Sequence, residues 1–200
     1  MSTSERRGYH HGDLRATLLS TATQMLETGE PFSLRAVARK AGVSPTAPYR
    51  HFKDRESLES ALAVEGFRDL LADLTTGRDL PTSLADLAEF GVVYVAFALR
   101  RPALFRLMFG RECDDSNDER VRAAGALSDL LTVALGNVLP GSDAAALANA
   151  GWGLAHGLAC LHLDGKLSSD SPEDVAERVR SAFLAIAAVH AAPPRGGANL

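Results

Sequence analysis

Residues 33–52 read SLRAVARKAGVSPTAPYRHF, and the punctuation of this stretch decides the fold. Ser33 is placed to cap a helix, because its hydroxyl can accept from the unpaired amides of a first turn. Leu34, Val37, Ala38 and Ala41 recur at i, i+3, i+4 and i+7, which is one apolar helical face. Gly42 stands where that helix must stop, since a left-handed residue costs glycine least. Val43 can plug the corner that follows. Ser44 is placed to cap a second helix over about 45–51, and Pro45 takes its first position, where a missing N–H is no loss. Tyr49 and Phe52 are expected to pack this short helix, which is too short to stand alone. Two short capped helices joined by a tight turn, the second carrying basic residues, form the arrangement that reads a DNA major groove.

The continuation to residue 58, SLRAVARKAGVSPTAPYRHFKDRESL, carries a wider likeness, as do YHHGDLR at 9–15 and GWGLAHG at 151–157. The segment from about Tyr9 to Phe67 resembles the N-terminal domain of the TetR family of transcriptional regulators. The two flanking motifs resemble one subgroup, whose C-terminal domain carries Trp-x-x-x-His-Gly. The likeness is strong over about 9–70 and moderate over 150–165; elsewhere only helical character matches. It implies an N-terminal helix-turn-helix DNA-binding domain (1–55) and a C-terminal ligand-binding and dimerisation domain (56–192) in a chain whose own pattern reads as all-α, and the Pro- and Gly-rich composition of the end reads as a disordered tail (193–200). The likeness also implies a sequence-specific DNA-binding regulator, a repressor released from its operator by a small hydrophobic ligand.

Charge distribution agrees with that division. The whole chain carries a formal charge of −4, yet residues 1–55 hold nine Lys or Arg against five acids. The positive end coincides with the helix-turn-helix, and the acidic remainder is repelled by phosphate, which helps orient the protein on DNA. No run approaches the ~18 apolar residues of a membrane span. The N-terminus lacks the apolar core of a secretory signal. Cys113 and Cys160 are far apart and have no metal-finger spacing, so a reduced, cytoplasmic protein is expected.

Read in order, the remaining chain gives helices separated by Gly and Pro. Residues 1–8 are expected to be a mobile basic arm. A first helix covers about 13–28, ended by Gly29 and Pro31. Asp54, with Ser57, caps a long fourth helix to about Leu74, able to connect the two domains as a lever. A fifth helix starts at Thr82 or Ser83 and runs to about Leu99, and Pro102 opens a short sixth. The loop 110–119, with CDDSND, lacks the ligand spacing and closing Glu of a calcium loop. A seventh helix covers 118–138, an eighth runs from Ser142 to about Leu163, and Pro172 opens a ninth carrying Val175, Val179, Phe183, Ile186 and Val189. No strand pattern appears.

The candidate DNA-contacting residues are Ser33, Arg35, Ser44, Pro45, Thr46, Ala47, Tyr49, Arg50, His51 and Lys53. Small Thr46 and Ala47 could sit deep in the groove against a thymine methyl. Arg50 could pair with guanine or touch phosphate. Ser44, Tyr49, His51 and Lys53 suit backbone positioning, the resemblance favouring phosphate for Tyr49. Arg35 and the helix start at Ser33 suit an anion. In the C-terminal part the resemblance implies a ligand cavity touching some of Phe90, Tyr94, Phe97, Phe105, Met108, Trp152 and His156, with His156 or Tyr94 as polar anchor. It also implies a homodimer through the eighth and ninth helices. Gly151, Gly153 and Gly157 each cost about 1 kcal/mol of helix stability relative to Ala, which points to another helix or a ligand beside them.

Other chemistries fit poorly. His10 and His11 are adjacent and cannot easily share a metal; phosphate contact or capping near Asp13 suits them better. His156 and Cys160 lie four apart on one helical face, but no further metal ligand converges, so no metal and no cofactor are expected. Glycine-rich phosphate loops, nucleophile elbows and converging carboxylate pairs are missing from the sequence, which argues against an enzyme. The alternative is a small-molecule-binding or interaction protein in which the helix-turn-helix is only a scaffold. A salt-sensitive gel shift on the chain's own upstream DNA separates the two.

Overall fold

Eight α-helices and one 3-10 turn make up residues 11–110 and 118–191, which are the residues described by the computed structural model. No strand occurs among them. The readings made above for the N-terminal arm, His10, Cys113, the CDDSND loop and the tail from 193 fall outside the described residues.

The helices are α1 (His11–Glu27), α2 (Leu34–Lys40), α3 (Arg55–Thr75), α4 (Leu84–Arg100), α5 (Pro102–Phe109), α6 (Asp118–Val138), α7 (Ala144–Leu163) and α8 (Pro172–Ala191). The 3-10 turn, Ala47–Arg50, lies between α2 and α3. The chain divides into two compact units, one of residues up to Phe67 with 101–122, the other of 68–100 with 123 onward. The first unit therefore extends well beyond the cut expected at residue 55.

The reason for that extension lies in the first unit's core. Leu18, Ala22 and Met25 of α1 are buried, as are Val37 and Ala38 of α2 and Leu58 and Leu62 of α3. α5 packs against α1 and contributes Leu104, Phe105 and Met108. The start of α5 is satisfied from outside its own chain segment: the Glu27 carboxylate accepts the amides of Ala103 (3.3 Å) and Leu104 (3.2 Å). An acidic group at a helix N-terminus is stabilising there. At the other end of α5, the buried Arg120 donates through Nη2 to the Met108 carbonyl at 2.9 Å. Gly66 lets Met108 approach α3, for a Cβ at 66 would lie 2.6 Å from its sulfur. Phe109 stacks edge-on to Phe67 at 5.3 Å between ring centres.

In the second unit α4 packs against both α7 and α8. Leu87, Val95, Phe97 and Ala98 of α4 are buried, with Ala159 of α7 and Val179 of α8. Gly91 permits a close approach of α8 to α4: a Cβ there would meet the Phe183 ring at 2.4 Å. Arg180 of α8 makes a two-toothed ion pair with Glu89 of α4, its Nη2 donating to Oε2 at 3.2 Å. α7 is capped by Asp143, whose carboxylate accepts the Ala146 amide at 3.0 Å, one residue later than the Ser142 start expected from sequence.

Candidate DNA-contacting face and ligand cavity

The local geometry of the first unit follows the reading of residues 33–52 up to Ser44 and then departs from it. Ser33 is extended (φ −156°) and its Oγ accepts the Ala36 amide at 3.1 Å. Gly42 has φ +70°. The Gly42 amide donates to Arg39 at 3.2 Å and the Val43 amide to Ala38 at 3.0 Å, the paired bonds that close a helix on a left-handed glycine. The helix expected over 45–51 is instead the four-residue 3-10 turn Ala47–Arg50. The cause is Pro48. It has no amide to donate, and it steers Ala47 away from α geometry. The turn is closed by the His51 and Phe52 amides, both donating to the Pro48 carbonyl at 2.9 Å.

Packing of this turn also differs from expectation. Pro48 and Phe52 are buried and anchor it, whereas Tyr49 is 49% exposed. The guanidinium of Arg15 lies 5.7 Å from the centre of the Phe52 ring, within range of a cation–π attraction. Of the ten candidate residues, Ser33, Arg35, Ser44, Pro45, Thr46, Tyr49, Arg50 and Lys53 are exposed, and Ala47 and His51 are half-buried. Ser44 and Thr46 do not stand independently: their hydroxyls are hydrogen-bonded at 2.9 Å. Lys40 is engaged by Glu30 at 2.5 Å. That bond, with a second from Thr28, holds the Glu30 carboxyl below the usual carboxylate range.

The second unit holds a partly open cavity of about 330 Å³, within the size range of small-molecule sites. Nine of its nineteen lining residues are leucines, and none carries a charge. Phe90, Tyr94 and Trp152, all expected from sequence, line it. Phe97 is fully buried and is not among the lining residues. Phe105 and Met108 belong to the first unit's core, against Gly66 and Phe109. His156 does not line the cavity but is bonded to a residue that does. Residues that the aromatic reading passed over include Leu127, Leu131, Leu135 and Leu139 of the α6 segment and Phe183 of α8. The spacing of those four leucines by four residues was the available signal, because it puts them on one helical side.

Four side chains form a hydrogen-bonded line at the cavity wall. Trp152 donates from Nε1 to the Tyr94 hydroxyl at 3.1 Å. That hydroxyl meets His156 Nδ1 at 3.0 Å, and His156 Nε2 lies 3.5 Å from Cys160 Sγ. With the indole N–H directed to the Tyr94 oxygen, the phenol O–H can donate to His156 Nδ1, and the imidazole then donates from Nε2 to the sulfur. Burial pushes the Tyr94 phenol up, an effect the Trp152 hydrogen bond partly offsets. Burial also lowers His156. Both shifts favour the neutral phenol of Tyr94 and the neutral imidazole of His156. Gly151 lines the cavity, and no atom lies within 4 Å of where a Cβ would stand at Gly151, Gly153 or Gly157. Among the described residues, no group of three or more His, Cys, Asp or Glu is placed to hold a metal ion. No described helix is long and apolar enough to cross a membrane.

A capped helix, a glycine turn and an exposed basic turn in one unit, with an uncharged cavity in an all-helical second unit, define a helix-turn-helix protein whose second unit holds an apolar cavity. The sequence model of the tetracyclin repressor-like C-terminal domain matches residues 87–186, and the chain belongs to the TetR family. HTH-type transcriptional regulators of Mycobacterium tuberculosis and Mycobacterium bovis are 32% identical over 108 residues, which is 51% of this chain. The match spans 45% of each of those relatives. A protein of unknown function from Rhodococcus sp. RHA1 is 33% identical in sequence, with a TM-score of 0.75 over 89% of this chain and 97% of that one. A tetR-family regulatory protein from Rhodococcus RHA1 shares the fold at 20% identity, with a TM-score of 0.65 over 86% and 95% of the two chains.

Proposed function

We propose that the chain is a sequence-specific DNA-binding transcriptional regulator that acts as a homodimer and leaves its operator when a small hydrophobic ligand enters the cavity. The observation that carries the reading is the turn at Ala47–Arg50. Pro48 and Phe52 pin it inward, while Thr46, Tyr49, Arg50 and Lys53 are exposed beside it. In this reading Tyr49, His51 and Lys53 hold phosphates and Thr46, Ala47 and Arg50 meet base edges. Ser33, Arg35, Ser44 and Pro45 fix the approach.

The homodimer is assigned to α7 and α8. Leu161, Leu184 and Ile186 are 43%, 43% and 60% exposed, and Gly153 and Gly157 leave open space on α7. Two recognition turns must then lie about 34–36 Å apart to enter successive major grooves. A ligand can release DNA only if it binds better to a dimer in which that spacing is wrong. α3 and α6 each begin in the first unit and end in the second, which makes both of them covalent routes for such a signal.

The test is a gel shift of the full chain on DNA upstream of its own gene, repeated across salt concentrations. Specific binding that weakens steeply with salt is expected. Binding equal to that on unrelated DNA would leave the helix-turn-helix as a scaffold and the cavity as the functional part.

A further inference from the structure

We infer that the cavity selects an uncharged, largely aliphatic ligand with one neutral oxygen, held at the Tyr94–Trp152 end, and that it rejects carboxylates and ammonium ions of the same shape. This deepens the ligand-release reading above and rests on it. The wall is the first argument. Nine leucines, one isoleucine and three alanines outnumber Phe90, Phe183, Tyr94 and Trp152, so the surface is mostly flexible aliphatic rather than flat aromatic. An alkyl chain can be enclosed by leucines that shift rotamer to meet it.

Charge is the second argument. No Lys, Arg, His, Asp or Glu lines the cavity. A buried ion without a partner of opposite sign is strongly disfavoured, and a carboxylic acid or amine must give up its charge to place its head group at the buried Tyr94 end of the cavity. The polar atoms nearest at hand cannot supply that partner. Tyr94 is held as the neutral phenol and His156 as the neutral imidazole by their burial, and Trp152 has only an indole N–H. What the line offers is dipoles, which suit a hydroxyl or carbonyl. The Tyr94 hydroxyl can turn its proton toward a ligand carbonyl or accept from a ligand hydroxyl, with the His156 tautomer adjusting.

Trp152 is the chain's single tryptophan, so its fluorescence reports this end of the cavity. The experiment titrates the full chain at neutral pH with linear alcohols, carboxylic acids and amines of eight, ten and twelve carbons. A saturable emission change is expected with at least one alcohol, with the matching acid and amine at least about tenfold weaker. Tyr94→Phe is expected to weaken the alcohol by about three- to tenfold, the worth of one hydrogen bond, while the acid and amine stay excluded by the uncharged wall, and Gly151→Leu, which fills the cavity from α7, is expected to abolish all binding. An acid or amine that matched or exceeded the alcohol would overturn the charge selection while leaving the cavity a ligand site. Unchanged alcohol affinity in Tyr94→Phe would overturn the placement of the oxygen. Failure of every compound to alter the emission, or binding unaffected by Gly151→Leu, would overturn the ligand reading itself.

Discussion

Replacing Gly91 with alanine sets two opposed effects against each other inside α4. A helix interior gains about 1 kcal/mol when alanine replaces glycine, because the glycine backbone has more freedom to lose. The new methyl, however, would stand 2.4 Å from Cε2 of Phe183, 2.8 Å from Cζ and 3.0 Å from Cδ2. The three atoms belong to one ring, so the ring must move as a body. Inserting a methyl into a packed contact costs about 1–3 kcal/mol. Phe183 is half-buried and borders the cavity, so some relief is available, and a cost near 2 kcal/mol is the reasonable value. The net expectation for Gly91→Ala is a loss of about 1 kcal/mol, which for a chain of this size lowers the melting temperature by about 2–4 °C. A double-mutant cycle isolates the cause. In a Phe183→Leu background the ring is gone, and Gly91→Ala should there raise stability by about 1 kcal/mol. Thermal melts of the four proteins followed by circular dichroism decide the matter. If Gly91→Ala shifted the melt equally in both backgrounds, the α4–α8 contact assigned to Phe183 would be wrong.

Gly153→Ala and Gly157→Ala meet no atom of their own chain, so each should gain about 1 kcal/mol of helix stability yet weaken the dimer in sedimentation; raised melting with dimerisation untouched would remove this face from the interface. Tyr49→Phe should weaken DNA binding evenly across sequences, and Arg50→Ala should also change sequence preference in a selection assay; if Arg50→Ala altered neither affinity nor preference, the recognition face would be misassigned. Asp54 is held below the usual carboxylate range chiefly by the Ser57 amide. Its stabilising contribution is therefore present above the unfolded-state value and lost as pH falls through the lower folded-state value. Denaturant midpoints of wild type and Asp54→Ala should differ at pH 6 and converge below about pH 4; a constant gap would contradict the cap. Glu27→Ala removes two bonds to the start of α5 and should cost about 1–2 kcal/mol in urea titrations, with no change pointing to water as an adequate substitute.

Local punctuation was the most legible part of the chain. Ser33, Gly42, Asp54 and Pro102 each act within a few residues, and each ends or starts an element where the sequence placed it. The recognition turn was less so, because Pro48 acts on its own hydrogen bond and on the residue before it. Reading Pro45 as a helix start without weighing Pro48 gave a helix where four residues of 3-10 turn stand. Assignment of α5 to one core or the other was beyond periodicity. Leu104, Phe105 and Met108 show an apolar stripe, but a stripe does not say which neighbour it meets. The deciding contacts, Glu27 with the α5 amides and Gly66 with Met108, join residues far apart in the chain.

The same limit explains the cavity. Trp152, His156 and Cys160 fall on one line of α7 by simple spacing, and that line exists in the structure. What ties it to the cavity wall is Tyr94, which bonds both Trp152 and His156 across roughly sixty residues of chain. No spacing rule reaches that far. Nor could aromatic content identify the wall, because an aromatic side chain serves a solid core as well as a cavity, and Phe97 and Phe105 do the former. Leucines repeated at intervals of four on α6 were the better indicator, since they extend an apolar side along a helix that also holds Val133, 52% exposed, on another. A cavity arises where such a side is met by small residues rather than large ones. Ala150, Gly151, Ala155 and Ala187 supply those gaps. Filling one of them from α7, at Gly151, is therefore the perturbation that separates a chamber built for a ligand from a packing defect: it should cost the ligand its place without costing the fold its core.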